Sequence, residues 1–416
     1  MEKNYQKCDE SLINYVETKG DNHEKVKLLI QFNEDHEAKV QNFLLDCGCN
    51  FQKQFSNINT YLIETSLDYL NELNNHDSII RINLDRPAWL LLDTAVPSTG
   101  VNKVDRKLNP QSLTGKGINV AIIDTGVHPH EDLITPNNRI VAFKDLVNHK
   151  IEPYDDNGHG THVAGCVASN GLSSDGIFEG TAPEANIIAI KTMDGRGRGT
   201  ISNIIEGIEW VIDNKNTYNI HILSLSLGTS PLRSYKEDPL CQALEKAWEM
   251  GIVVLVAAGN EGPKSSTIGS PAIHPQLITI GATDDMNTVE NNDDVIANFS
   301  SRGPTKDGFN KPDLVAPGSN IISLRSPGSY SDIISPKNRV NEYYFNMSGT
   351  SMATPISAGL VALLLEQDNQ LSPNEIKKLL IEGAIDISDD KNAAGYGIVN
   401  FQNSLNVLNK YKNKCL

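Results

Sequence analysis

No stretch of this 416-residue chain stays apolar for the ~18–20 residues that a membrane-crossing helix needs. The longest candidates, Gly251 to Gly259 and Ala358 to Leu365, have the length of buried core elements, so no membrane partner is expected. Positive charge is also short. The 36 Lys and Arg against 52 Asp and Glu leave a formal net charge of −16 and no basic block, so a phosphate backbone finds no electrostatic partner and nucleic-acid binding is not expected. Cysteine is scarce, with six (Cys8, Cys47, Cys49, Cys166, Cys241, Cys415), and the opening MEKNYQKCDE has no apolar h-region. Reduced thiols and a cytoplasmic setting without a signal peptide are therefore expected. Cys47 and Cys49 form a C-x-C with no second ligand pair nearby, which argues against a structural zinc. What is present is an ordinary globular composition, 39% hydrophobic and 21% charged, with no internal repeat and enough length for a large domain plus a smaller one.

Four regions follow one another. Residues 1–24 form a polar lead. Residues 25–92 read as strand Lys27–Phe32, helix His36–Cys47, strands Phe51–Ile58 and Tyr61–Glu64, a helix from Ser66 and strand Ile79–Leu84, the β-α-β-β-α-β order of a ferredoxin-like unit. Residues 93–113 are polar and turn-rich and read as an exposed connector. From 114 to 416, buried apolar runs (118–123, 187–191, 220–227, 252–257, 277–281) alternate with amphipathic helices, the pattern of a mainly parallel sheet covered on both faces. The chain closes with helices Ser351–Glu366 and Pro373–Glu382, the second opened by Ser372 with Glu375 three residues on.

Three segments place reactive side chains where a strand or loop meets a helix. Val120-Ala-Ile-Ile-Asp124-Thr-Gly126 ends a buried strand in an acid, which taken alone could merely cap a turn. Asn157-Gly-His159-Gly-Thr-His162 sets a histidine between glycines at a helix start. Ser348-Gly-Thr-Ser351-Met-Ala-Thr-Pro355 puts a serine at the mouth of an apolar helix, where the dipole favours developing negative charge, though a plain N-cap would look similar. Together they supply an acid, an imidazole and a hydroxyl in the chain order Asp, His, Ser. A fourth, Val256-Ala-Ala-Gly-Asn260, ends a buried strand in an amide donor of the kind that stabilises an oxyanion. A lipase-type elbow, G-x-S-x-G with the order Ser, Asp, His, does not match, because the serine here sits in G-T-S-M-A and comes last.

In this order DTG, HGTHVAG, AAGN and GTSMATP resemble the subtilisin-like serine proteases (subtilases), over roughly Gly115 to Asn400. PYDDNGHGTH, FSSRGPT, KPDLVAPG and SLRSPGSY look like the bacterial intracellular AprX-type branch. The resemblance implies a subtilisin-like three-layer α/β fold preceded by a small α+β prodomain. It also implies a serine endopeptidase that forms an acyl-enzyme on Ser351, with His159 as base and then acid, Asp124 orienting the imidazole, His162 structural and Asn260 in the oxyanion hole. Ser226, Leu227 and Gly228 with Ala257, Ala258 and Gly259 would wall a primary pocket, small and apolar enough for a large apolar P1 residue. Gly195 and Gly197 of the segment Asp194 to Gly199 would pair with substrate as an added strand, and Arg196 and Arg198 would favour acidic residues upstream of the cut. The chemistry implies no cofactor. Asp132 matches a structural Ca²⁺ ligand position, whereas 168–180 departs from the Asn-rich calcium loop of secreted members. The partners implied are protein or peptide substrates and the chain's own N-terminal prodomain, cut autocatalytically between Leu84 and Val104 or retained as a self-inhibiting domain. A runner-up reading keeps the same fold but uses it only for binding.

Overall fold

The structure, a computed structural model, describes residues 5–8, 12–13, 15–16, 25–55, 59–84, 94–101, 112–229 and 234–414. Two compact units result, Met1–Leu90 and Leu91–Leu416. In the first, strands β1 (Lys25–Phe32), β2 (Asn50–Phe55), β3 (Thr60–Ser66) and β4 (Ile79–Leu84) form an antiparallel sheet in the order β2-β3-β1-β4, with helices α1 (Glu37–Asp46) and α2 (Leu70–Asn75) in the connections. Alternation drives this arrangement. Val26, Leu28, Ile30 and Phe32 of the inner strand β1 point to one face and bury themselves, together with Val40, Leu44, Leu70 and Leu73 of the two helices. The β-α-β-β-α-β order is that of the ferredoxin-like unit.

The second unit is built on an eight-stranded sheet in the order β11-β10-β9-β8-β5-β7-β6, with β12 also pairing to β10. Its strands are β5 (Asn119–Asp124), β6 (Ile140–Asp145), β7 (Asn186–Lys191), β8 (Ile220–Leu225), β9 (Val253–Ala257), β10 (Ile278–Asp284), β11 (Val295–Ile296) and β12 (Leu314–Pro317). All pairs are parallel except β10 with β11. Apart from the edge strands β6 and β11, the strands are largely buried runs of Ile, Val, Leu and Ala because helices cover the sheet: α3 (His159–Ala168), α4 (Ile201–Asp213), α5 (Pro239–Glu249), α6 (Thr350–Gln367), α7 (Pro373–Gly383) and α8 (Phe401–Lys414). An antiparallel hairpin, β13 (Ile321–Leu324) with β14 (Tyr344–Met347), stands apart from the main sheet. The capping box expected at Ser372 is present, with Ser372 and Glu375 exchanging hydrogen bonds.

One expectation needs correcting. Residues 94–101, read from their polarity as exposed connector, are docked on the second unit: Val96 and Val101 enter its core, and Ser98 and Thr99 are buried. Thr94 Oγ1 donates to Asp285 Oδ2 (3.0 Å), Asn291 Nδ2 to the Ser98 carbonyl (3.1 Å) and Phe401 N to the Thr99 carbonyl (2.7 Å). Hydrogen bonding of this small polar run to two distant segments, 285–291 and the start of α8, overrides its turn-rich composition. The expected strand Phe51–Ile58 is described only to Phe55. Most of Leu84 to Val104, where cleavage is expected, lies outside the described residues.

Candidate active site

Parallel strands ending together create the site. Asp124 closes β5 in register with Lys191 of β7, at the carboxyl edge of the sheet where loops converge. The Lys191 ammonium is fully buried and donates to the Thr125 carbonyl (2.6 Å), the Met193 carbonyl (2.8 Å) and Asp156 Oδ1 (2.7 Å), which fixes the turn after Asp124. His159 opens α3 directly opposite. Its Nδ1 lies 2.8 Å from Asp124 Oδ1 and 3.0 Å from Oδ2. Gly160 permits this approach, because a side chain there would collide with the Gly126 carbonyl and press on Asp124. Gly158 adopts φ 102°, a left-handed conformation that starts the helix.

A second carboxylate that the sequence analysis did not single out lies behind the pair. Asp155 is buried and accepts from Thr125 Oγ1 (2.9 Å), the amides of Asn157 (3.0 Å), Gly158 (2.9 Å) and Thr161 (2.9 Å), and Thr161 Oγ1 (2.7 Å). It therefore caps the first turn of α3 and ties it to the Asp124 turn, satisfying orphan helix donors at the positive end of the dipole. Burial pulls the His159 pKa down, but the charge of Asp124, its hydrogen bond and the charge of Asp155 more than offset this and leave it above the ordinary 6.5. His162 behaves differently. It is buried, its Nε2 faces the carbonyls of Ile321 (3.1 Å) and Phe345 (3.0 Å), and burial with His159 nearby lowers its pKa to about 3, so it stays neutral. Cys166 is buried on the same helix, its thiol pushed up to about 12 by burial.

Ser351 is the second residue of α6, and every residue from Thr350 to Leu365 is buried except Ser351. A helix apolar on all sides thus exposes a single hydroxyl to the cleft. Pro355 lacks the amide hydrogen that would bond the Ser351 carbonyl four residues earlier. Ser226 Oγ takes its place, donating to that carbonyl at 2.9 Å, and Ser351 Oγ donates back to the Ser226 carbonyl at 3.1 Å. To hand a proton to His159 the hydroxyl must give up this bond. Asn260 Oδ1 accepts from Thr350 N (2.9 Å) and Thr350 Oγ1 (3.1 Å); an amide hydrogen can only donate, so the side chain is oriented with Nδ2 on the opposite side. A side chain on Gly349 would sit 3.3 Å from Asn260 Nδ2 and 3.6 Å from Ser351 N, so glycine keeps open the space between these two donors.

Two clefts flank Ser351 and share Asn260. One, about 520 Å³, is lined by Ser226, Leu227, Gly228, Ala257 and Gly259. Ala258 is not in it; fully buried, it packs into the core, as alternation along an extended strand requires. Glu261, Ser266, Thr267 and Lys306 complete the wall, so the pocket is less apolar than its two glycine-rich segments suggest. Lys306 comes from a loop distant in sequence, just after the FSSRGPT segment. The other cleft, about 350 Å³, is bordered by His159, Met352 and residues after Leu324. Gly195 and Gly197 line neither. They belong to a tight turn in which Asp194 Oδ1 accepts from the amides of Arg196 (2.8 Å) and Arg198 (2.9 Å), and the Gly195 carbonyl accepts from Asn157 Nδ2 (3.1 Å), two residues from His159.

Residues 115–402 match the model of the subtilase family. The chain belongs to this family. It is 48% identical over 404 residues to serine protease AprX of Bacillus subtilis (strain 168), covering 94% of this chain and 90% of that protein. With subtilisin E of the same organism it shares 32% over 369 residues, 88% of this chain and 85% of the other. Among solved structures, the S41 psychrophilic protease superposes with a TM-score of 0.59 at 31% identity, covering 74% of this chain and 97% of that one. The chain is therefore a serine protease of the subtilase family, a hydrolase with a mainly parallel α/β sheet preceded by a small ferredoxin-like unit.

At Asp132 of this subtilase, the surroundings do not suit a metal ion. Fully buried, the carboxylate accepts from Ser169 Oγ (2.9 Å) and Tyr344 OH (2.6 Å) on Oδ2, and from Ser173 N (2.9 Å) and Ser173 Oγ (2.6 Å) on Oδ1. Burial raises its pKa, and these donors outweigh burial and hold it below the usual value. A cation would have to displace hydroxyl and amide donors, and among the described residues no group of three metal-binding His, Cys, Asp or Glu side chains occurs. No helix of the described residues is long and apolar enough to cross a membrane.

Proposed function

We propose that this subtilase is an active endopeptidase using Asp124, His159 and Ser351. The observation that carries the reading is the Asp124 to His159 Nδ1 contact, made by a histidine that lines the same cleft as Ser351. Ser351 Oγ attacks the peptide carbonyl carbon as His159 Nε2 takes its proton. Asn260 Nδ2 and the Ser351 amide donate to the oxyanion. The tetrahedral species collapses with cleavage of the C–N bond, and His159 returns the proton to the departing amine. Water then repeats the sequence on the ester, releasing the acid and restoring Ser351. Asp124 fixes the ring tautomer and stabilises the imidazolium. The first cleft takes a large apolar residue before the cut, and Gly195 and Gly197 carry backbone pairing with the upstream chain, with Arg196 and Arg198 biasing it toward acidic residues.

The first unit, in this reading, is a prodomain that folds with and inhibits the peptidase and is cut between Leu84 and Val104. Its position before the peptidase and the alignment with serine protease AprX along 94% of this chain support that role. Hydrolysis of a chromogenic peptide with an apolar residue before the anilide, blocked by a serine-directed inhibitor, tests the reading; no turnover of it by a peptidase from which the first unit, Met1–Leu90, has been cut away would refute it. Asn260→Ala should lower kcat by about 10²–10³, because one preorganised oxyanion donor is removed. A loss under tenfold in steady-state kinetics would contradict the role of Asn260.

A further inference from the structure

The segment Phe299-Ser-Ser-Arg-Gly-Pro-Thr305 has no role in the chemistry described above, yet it is folded against the strand exit that carries Asn260. Strand β9 ends at Ala257, and Ala258 N still donates to the Ile280 carbonyl of β10 (2.9 Å). Past that point the chain leaves the sheet and needs another partner. Ser301 supplies it. Its amide donates to the Gly259 carbonyl (3.0 Å) and its Oγ accepts from the Glu261 amide (3.1 Å), so the two bonds bracket Asn260. Gly262 N donates to the Phe299 carbonyl (2.9 Å) and extends the pairing by one residue. The fit is tight. A side chain on Gly262 would strike the Ser300 carbonyl, and one on Gly259, whose φ is 107°, would come within 2.9 Å of Ser301 Oγ.

Ser301 is itself anchored to the sheet. Both it and Ser300 are fully buried, and Ser300 Oγ accepts from Ala282 N of β10 (3.0 Å) while Ser300 N donates to the Ala297 carbonyl (2.9 Å). A line of hydrogen bonds thus runs from β10 through the two serines to the backbone on either side of Asn260. Asn260 is exposed, so packing does not hold it. Thr350 orients its side-chain amide, but that orientation aims Nδ2 at one place only if the backbone behind it is also fixed. We propose that Ser301 is a positioning residue for the reaction, setting where Asn260 Nδ2 stands relative to the Ser351 amide. This rests on the role proposed above for Asn260 in the oxyanion hole. Ser301 lines neither cleft, so its influence on catalysis passes through Asn260. Preorganised donors need no rearrangement as charge develops, and a displacement of about 1 Å costs up to roughly 10²-fold in rate.

Ser301→Ala removes the acceptor for the Glu261 amide and leaves the backbone bond to Gly259 in place. The test measures kcat and KM on the chromogenic peptide for wild type, Ser301→Ala, Asn260→Ala and the double variant, each normalised to active sites titrated with the serine-directed inhibitor, so that misfolded protein does not count. Ser301→Ala should lower kcat by roughly tenfold and leave KM within about twofold, because the bond acts on the transition state and not on substrate binding. In the Asn260→Ala background the same substitution should change kcat by less than about twofold, because the donor it aims is gone. Ser301→Cys keeps a side chain of similar shape with a weak acceptor, and should show the same dependence on background, so the test does not hinge on how well the alanine variant folds. A general loosening of the loop would instead lower kcat by the same factor with and without the Asn260 amide. That result, or a wild-type kcat in both Ser301 variants, would overturn the positioning role and leave Asn260 in the oxyanion hole. A loss under about tenfold in Asn260→Ala alone would sink the oxyanion assignment and the role of Ser301 with it.

Discussion

Ser351→Ala should lower kcat/KM on a chromogenic peptide by roughly 10⁴–10⁶-fold, because the acyl-enzyme can no longer form and the remaining groups work only as a unit. The fold should barely register the change. Ser351 is the least buried residue at its end of α6, and its hydroxyl makes one hydrogen bond, to the Ser226 carbonyl, whose net worth is about 1 kcal/mol. The Ser226 hydroxyl keeps its bond to the backbone carbonyl at position 351. Activity and thermal unfolding measured on the same preparation separate the two effects. A variant that unfolds as wild type yet retains more than a tenth of its activity would remove Ser351 from the mechanism.

Asp124→Asn should cost on the order of 10⁴ in kcat, with the backbone undisturbed. An amide is nearly isosteric, but its NH₂ group facing His159 Nδ1 would force that nitrogen to accept, leaving the proton on Nε2, where the ring cannot act as a base. The loss of charge has a second signature. In wild type Asp124 and Asp155 place the His159 pKa above 6.5, so the acid limb of kcat/KM should have its midpoint above 6.5, activity falling as pH drops and the ring protonates. Burial opposes the charged ring, and without the Asp124 carboxylate it is less well offset, so the limb in Asp124→Asn should move to lower pH. A pH profile of the residual activity with an unmoved midpoint would show that Asp124 does not set the His159 pKa.

Much of the site could be read in the sequence because its chemistry is concentrated in short segments at strand ends and helix starts. Asp124, His159, Asn260 and Ser351 each lie in such a segment, Asp124 and Asn260 at or just after the ends of parallel strands and His159 and Ser351 in the first turns of helices. Partnerships between distant segments were not legible. Nothing local indicates that Pro355 frees the Ser351 carbonyl for Ser226, or that Lys306 reaches the pocket wall. Asp155 stands inside the histidine segment, but its five donors assemble only once Thr125 folds against it. Strand β6 was missed for a different reason. Only Ile140 and Asp145 of it are buried, so this edge strand lacks the apolar run that marks its neighbours. The segment 325–343 that joins β13 to β14 carries charge and turn residues that read as loop, and its position beside His159 is set by hydrogen bonds to residues more than a hundred positions away.

The most direct test of the catalytic assignment is the intact mass of wild type and Ser351→Ala after treatment with a fluorophosphonate, which adds a known mass to an activated serine. The account predicts a wild-type chain cut between Leu84 and Val104 that gains one label, and a Ser351→Ala chain that stays full-length and unlabelled. A label retained by Ser351→Ala, or a wild-type peptidase freed of its first unit that takes none, would contradict it.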